Sequence, residues 1–260
     1  MNPLATHGAP SWAELLAGDV EEAVAYYSNL FGWTSTPLET AGGGYHVMQA
    51  RGVNVGGIMA VPNAMVPPMW CYYVTVDNVD RIAAKAEATG ATIIVPVTDA
   101  PGVGRFCGFT DPQGAYLAVI TYTATTDRHV LEKLDKAFET HGMFSWMQLQ
   151  AQNVEEAASF YASLLGWTIT EEHMETGPYH VIKNGGAAIG GIVPSPAPEI
   201  PPHWSAYVTV DDADRVLEAV EAAGGMITVP AVNVPTVGRL AHTMDPQGAH
   251  LAIAAYEQRQ

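Results

Sequence analysis

Two periodicities alternate along the chain. In VEEAVAYYSNLFGW (20–33) the apolar positions Val24, Tyr27 and Phe31 recur at helical spacing; Asp19 and Glu22 give a capping-box start, and Gly32 a stop. NVDRIAAKAEATG (78–90) reads as a second helix, started by Asp77 and ended by Gly90. Strand-like runs flank both. SWAELL precedes the first helix, with GYHVMQA and VGGIMAV after it; WCYYVTV precedes the second, with TIIVPV and YLAVITY after it. The pattern predicts a β-α-β-β-β module, used twice in the first half of the chain.

The second half repeats the first. DPQGAYLAVI (111–120) returns as DPQGAHLAIA (245–254), an offset of 134 residues, and the same offset carries SW at 11 to 145, YHV at 45 to 179, GGI at 56 to 190 and GR at 104 to 238. A period of this length is the size of a domain, not of a solenoid repeat. We therefore expect an α+β chain of four βαβββ modules, arranged as a domain over 1–127 and a second over 141–260. Between them, 128–140 places Val130, Leu131, Leu134 and Phe138 at helical spacing, which predicts a short connecting helix.

Charge narrows the function. Only 11 Lys and Arg stand against 27 Asp and Glu, a net −16, so a phosphate-tracking surface is not expected and nucleic acid is set aside as a partner. No apolar run approaches the roughly 18 residues of a spanning helix, and the start, MNPLATHGAPSW, has neither a basic nor an apolar leader region. The expectation is a soluble cytoplasmic protein, monomer or homodimer, without membrane partners. Cys71 and Cys107 have no counterparts in the second copy and form no metal-type pair, so they read as buried thiols.

VEEAVAYYSNLFGW, its copy VEEAASFYASLLGW, and the GR element followed by DPQGA together resemble the vicinal oxygen chelate superfamily, which includes glyoxalase I, extradiol dioxygenases, fosfomycin-modifying enzymes and bleomycin-binding proteins. The likeness spans essentially the whole chain and is greatest to the tandem glyoxalase-like proteins of actinobacteria. It implies two glyoxalase-like domains, each a curled mixed sheet around a cup that holds a small molecule. It also implies a divalent metal held by His or Gln on the first strand of each module and Glu on the last. Those positions fall on Trp12, Cys71, about Gly57 and Ala118 in the first copy, and on Trp146, Ser205, about Gly191 and Ala252 in the second. None carries a carboxylate or imidazole, so no cofactor is expected. A displaced divalent-metal set of Gln148, His203 and His250 is the alternative.

Glu14 shares a strand face with Trp12, where partial desolvation would suit it to general-base work or to gripping a ligand donor; its dull reading is a hydrogen bond or ion pair with Arg105, or a place at a wet rim. Tyr73 takes the pseudo-equivalent place in the next module and could supply a phenol donor. Trp12, Trp70, Trp146 and Trp204, with Gln148 and Tyr207, are the expected ligand-binding residues, because indole walls suit a flat conjugated molecule. His46 and His180 read as sheet residues. Arg105 and Arg239 read as structural, bonding loop carbonyls or the Asp of DPQG. Three readings stay open: a metal-independent binder of an aromatic or carbonyl-bearing metabolite, in a resistance or biosynthesis role; a metal-free isomerase, cyclase or lyase using Glu14 as base; and a metal-dependent lyase or dioxygenase with displaced ligands.

Overall fold

The computed structural model describes residues 2–40, 43–123, 136–174 and 177–257. Four modules follow one another. The first is β1 (Pro10–Ala17), α1 (Val20–Phe31), β2 (Thr34–Thr40), β3 (Gly43–Ala50) and β4 (Val53–Ala60). The second is β5 (Met69–Thr75), α2 (Val79–Ala88), β6 (Thr92–Ala100), β7 (Gly104–Thr110) and β8 (Tyr116–Tyr122). The third is β9 (Phe144–Ala151), α3 (Val154–Leu165), β10 (Thr168–Met174), β11 (Gly177–Asn184) and β12 (Ala187–Pro194); the fourth is β13 (His203–Thr209), α4 (Ala213–Ala222), β14 (Met226–Val234), β15 (Gly238–Met244) and β16 (His250–Tyr256).

Each repeat forms one eight-stranded mixed sheet, in the order β2-β3-β4-β1-β5-β8-β7-β6 and β10-β11-β12-β9-β13-β16-β15-β14. The expected α+β architecture of two curled sheets is therefore the observed one. Strands β2 and β7 were not picked out by pattern: β2 carries Pro37 among Thr, Ser and Glu and lies at the sheet edge, and β7 is broken by Gly104 and Gly108.

Caps set the helix ends. Asp19 accepts from the amide of Glu22 at 3.0 Å, and Gly32 ends α1 in the left-handed conformation at φ +65°, as expected. The start of α2 is one residue later than expected: Asn78, not Asp77, accepts from the amide of Arg81 at 2.8 Å. Of the connecting helix expected over 128–140, residues 128–135 lie outside the described residues, and 136–139 form a turn closed by Glu139 N–H to the Lys136 carbonyl.

Close packing groups the residues differently from the repeat. Among the described residues, one compact unit comprises those within 1–11, 72–131 and 146–205; the other comprises those within 12–71, 132–145 and 206–260. Each unit thus takes half of each copy, and the DPQG turns are part of the reason. In the first unit Gln113 donates to the Asn153 carbonyl and accepts from the Asn153 amide, both at 2.8 Å; in the second, Gln247 holds Asp19 in the same way at 2.8 and 2.7 Å. Each turn therefore clamps the helix cap of a module from the other copy.

The aspartate of the turn anchors the core. Asp111 accepts the amides of Gln113 and Ala115 on one oxygen and the Tyr161 hydroxyl on the other, and Tyr161 accepts from the Trp204 indole at 3.0 Å. In the second unit, Asp245, Tyr27 and Trp70 repeat this chain at 2.9 and 3.0 Å. Around Tyr27 the rings of Phe31, Trp33, Trp70 and Phe144 pack with centroids between 5.0 and 6.2 Å. Full burial of such large apolar side chains stabilises by about 1.5–3 kcal/mol each.

Candidate functional site

The site is built on the strand face opposite the helices. On β1, Ala13, Leu15 and Ala17 are at most 1% exposed, while Trp12 and Glu14 alternate onto the other face. Register then assembles a row in the second unit. Glu14 lies beside Gly57 on the parallel neighbour β4, and Gly57 lies beside Val47 on β3, with Tyr45 two residues along on the same face. A methyl group at Gly57 would stand 1.8 Å from the Tyr45 hydroxyl oxygen, so the glycine leaves the space that this phenol fills. Tyr45 accepts from the Trp12 indole at 2.9 Å and donates to the Glu14 side chain. Burial first, then the charge of Glu14, pushes the Tyr45 phenol far above its usual range. Glu14 itself is 6% exposed. Cys71, also buried, donates its thiol to the Glu14 carbonyl at 3.3 Å, and burial followed by the Glu14 charge pushes this thiol up as well.

The first unit holds the matching row of the second copy. Gln148 lies beside Gly191 on β12, and a methyl group there would be 2.1 Å from the Tyr179 hydroxyl oxygen. Trp146 donates to Tyr179 at 2.9 Å, and Tyr179 donates to Gln148 Oε1 at 3.0 Å. One architecture is thus written twice, ending in a carboxylate in one copy and a carboxamide in the other.

The remaining candidates occupy other places. Tyr73 belongs to the first unit and Glu14 to the second. Tyr73 lies beside Ala118 in register and packs edge-on to Phe106 at 6.0 Å, and its carbonyl accepts from Ser11. Beside that row, the Tyr116 phenol fills the space left by Gly108, 2.1 Å from where a methyl would stand. In the second copy His242 replaces that glycine: His242, Ala252 and Tyr207 lie side by side on three strands, and His242 Nε2 meets the Tyr207 hydroxyl at 3.1 Å across the Ala252 methyl.

Trp70 and Trp204 are corrections. Their indoles are buried in the core at 4% and 7% exposure, bonded to Tyr27 and Tyr161, and so do not wall a ligand cup. Arg105 and Arg239 are structural, but not through DPQG: Arg105 forks onto Asp80 and reaches Asp99, and Arg239 forks onto Asp214 and reaches Asn233. Asp111 and Asp245 are held by turn amides and tyrosines instead.

The partnering residues that sequence reasoning missed are Tyr45, Tyr179 and His242. The first two had a signal, since YHV and GGI recur together in both copies and a glycine inside a strand marks close approach of another group. His242 had none, because its copy-one equivalent is Gly108. A cavity of about 360 Å³ lies away from these rows, bordered by Thr89, Asp111, Gln113, Glu156 and Phe160 in the first unit.

Two sheets of two βαβββ modules each define a tandem member of the βαβββ class. A family model, the Glyoxalase/Bleomycin resistance protein/Dioxygenase superfamily, matches residues 9–119 and 143–253, and the chain belongs to that superfamily. It is similar to CFP32 of Mycobacterium tuberculosis, a protein named as a glyoxylase, with 34% identity over 95% of this chain and 94% of that protein. It is also similar to the anthracycline biosynthesis protein DnrV of Streptomyces peucetius, with 26% identity over 95% of this chain and 92% of that one. The Mn(II)-bound glyoxalase from Novosphingobium aromaticivorans shares the fold at a TM-score of 0.63 and 17% identity, covering 97% of this chain and 83% of that chain.

A fold that carries Mn(II) in one structure raises the question of a metal here, and the residues do not suit one. Trp12 and Trp146 present indole N–H groups, which donate and cannot ligate; the Gly57 and Gly191 positions are filled by phenols; Ala118 and Ala252 offer methyl groups. Among the described residues no three His, Cys, Asp or Glu stand together as a metal-holding group. Of the displaced set, Gln148 Oε1 is engaged by Tyr179, His203 Nδ1 is at 2.9 Å from the Pro201 carbonyl, and His250 is exposed. No described helix is long and apolar enough to cross a membrane.

Proposed function

We propose that the protein binds a flat, conjugated or carbonyl-bearing metabolite without a metal ion, with Trp12 and Trp146 as its ligand-facing indoles. The observation that carries this reading is the filling of Gly57 and Gly191 by Tyr45 and Tyr179, which places phenol and indole where metal-binding relatives are expected to carry carboxylate or imidazole. Aromatic edges of this kind suit stacking on a conjugated ring. The likeness to an anthracycline biosynthesis protein supports the same ligand chemistry, since an anthracycline is a planar, quinone-bearing ring system.

A second reading has its own support. Glu14 is a buried carboxylate beside a phenol donor, and its copy is Gln148, which cannot accept a proton at neutral pH. This asymmetry favours a metal-free isomerase, cyclase or lyase in which Glu14 takes a proton from carbon next to a carbonyl.

The test is elemental analysis of the purified protein alongside titration with a water-soluble anthraquinone sulfonate, followed by tryptophan fluorescence with and without chelator. We expect saturable quenching that is unchanged by chelation. Binding that appears only when divalent ions are added overturns the proposal.

A further inference from the structure

Hydrogen-bond polarity in the Gln148 row carries one step more. An indole N–H only donates, so the Tyr179 oxygen accepts from Trp146, and the single phenol proton is left for Gln148. That proton goes to Oε1, which fixes the carboxamide and turns its Nε2 away from Tyr179. Tyr179 is the only hydrogen-bond partner of the Gln148 side chain among the described residues, so both Nε2 hydrogens remain available as donors. Trp146 and Gln148 are both half-buried, so neither is sealed into the core. Gly191 is what permits the arrangement, since any side chain there would displace the phenol that orients the amide.

We propose that Gln148 is a carbonyl-recognising residue: its amide donates to a ketone or quinone oxygen of a flat ligand stacked on Trp146. This rests on the binding reading above and names the ligand group read by this row. The first copy, ending in the acceptor Glu14, has the opposite polarity at the equivalent place, so the two rows do not read the same ligand group.

The experiment compares anthraquinone-2-sulfonate with anthracene-2-sulfonate, which has the same flat charged frame without carbonyls. Both are titrated against wild type, Gln148→Leu and Gln148→Glu, with Trp146→Phe to assign the fluorescence signal and thermal melts to confirm folding. Wild type is expected to favour the quinone by roughly 3- to 10-fold, the worth of one net hydrogen bond to a neutral acceptor. Gln148→Leu should erase that preference while leaving anthracene binding in place. Gln148→Glu keeps an acceptor for Tyr179 and so keeps the row folded, but it replaces the donor by a negative charge and should weaken the quinone at least as much. Equal affinity for the two probes in wild type, or a preference that survives in both variants, overturns the role of Gln148 and leaves the binding reading standing. Failure of wild type to bind either probe overturns the binding reading, and this proposal with it.

Discussion

Among the described residues, four chains of indole, phenol and side-chain oxygen stand out, and they divide into two kinds. Trp70, Tyr27 and Asp245, like Trp204, Tyr161 and Asp111, lie in the core: the tyrosines are at most 1% exposed, and each aspartate also caps two amides of its own turn. Trp12, Tyr45 and Glu14, like Trp146, Tyr179 and Gln148, lie on the opposite sheet face, with indoles and phenols only half-buried. The same three-part wiring therefore serves as a clamp where every polar atom is consumed. It serves as a candidate site where the terminal group is Glu in one copy and Gln in the other. A Trp-Tyr-acid chain is thus no signature of function by itself; exposure and the identity of the last member are what separate the two uses.

The sharpest way to break this comparison is to remove an indole from each kind. Trp70→Ala should cost about 3–5 kcal/mol of unfolding free energy, the usual range for a fully buried large aromatic. Trp12→Ala should cost clearly less and should instead remove the part of the anthraquinone quenching that Trp12 reports, leaving the Trp146 part in place. Urea denaturation of both variants checks this, and equal losses would place the Trp12 row in the core with the others.

Alkaline pH tests a property that core and site phenols share. Tyr27, Tyr161 and Tyr45 are all pushed above the ordinary value of 10.0, chiefly by burial and next by the charge of their carboxylate partner. A phenol whose folded pKa is raised leaves stability intact below the unfolded pKa and erodes it as pH climbs above that value, because only the unfolded chain releases the proton. Stability should therefore hold up to about pH 10 and then fall by about 1.4 kcal/mol per pH unit for each such phenol. Tyrosinate absorbance should lag until unfolding, and Tyr27→Phe should make the fall shallower by one phenol.

Gly57→Ala tests the packing that builds the site. The added methyl meets the far end of a side chain, not backbone, so Tyr45 can swing aside. We expect a loss of about 1–3 kcal/mol from overpacking, together with loss of the Trp12 hydrogen bond and of probe binding at the Trp12 row alone. Gly191→Ala should do the same to the second copy.

Much of this was legible in the sequence, for physical reasons that can be named. Periodicity located both helices of the repeat, and the Asp19 side chain and the left-handed backbone of Gly32 fixed the ends of α1 to the residue. The exact offset between copies exposed four modules. What composition could not show was reach. Tyr45 meets Glu14 because a glycine lies between them on the middle strand, and His242 meets Tyr207 because an alanine does. Such contacts depend on strand order, which brings β4 between β3 and β1 although it follows both in sequence. Trp70 and Trp204 misled for a related reason. An aromatic at a strand start can turn to either face, and here the buried hydroxyls of Tyr27 and Tyr161 supply the acceptors that draw both indoles inward.

The smallest expected change is also the most informative. Glu14→Gln turns the first row into a copy of the second: Oε1 of the new amide still accepts from Tyr45, and the side-chain volume is nearly unchanged. Stability should move by no more than about 1 kcal/mol in either direction, because one hydrogen bond to a charged acceptor is exchanged for one to a neutral acceptor while the cost of burying a charge is removed. Function should respond more strongly than folding. If Glu14 is a base, the variant keeps its ligand and loses turnover. If the row only reads ligand polarity, it gains preference for the quinone over the hydrocarbon frame, as Gln148 is expected to have. Denaturation, probe titration and product analysis on the same preparation separate these outcomes, and a variant that unfolds at wild-type conditions would show instead that the carboxylate of Glu14 is structural, like Asp111 and Asp245.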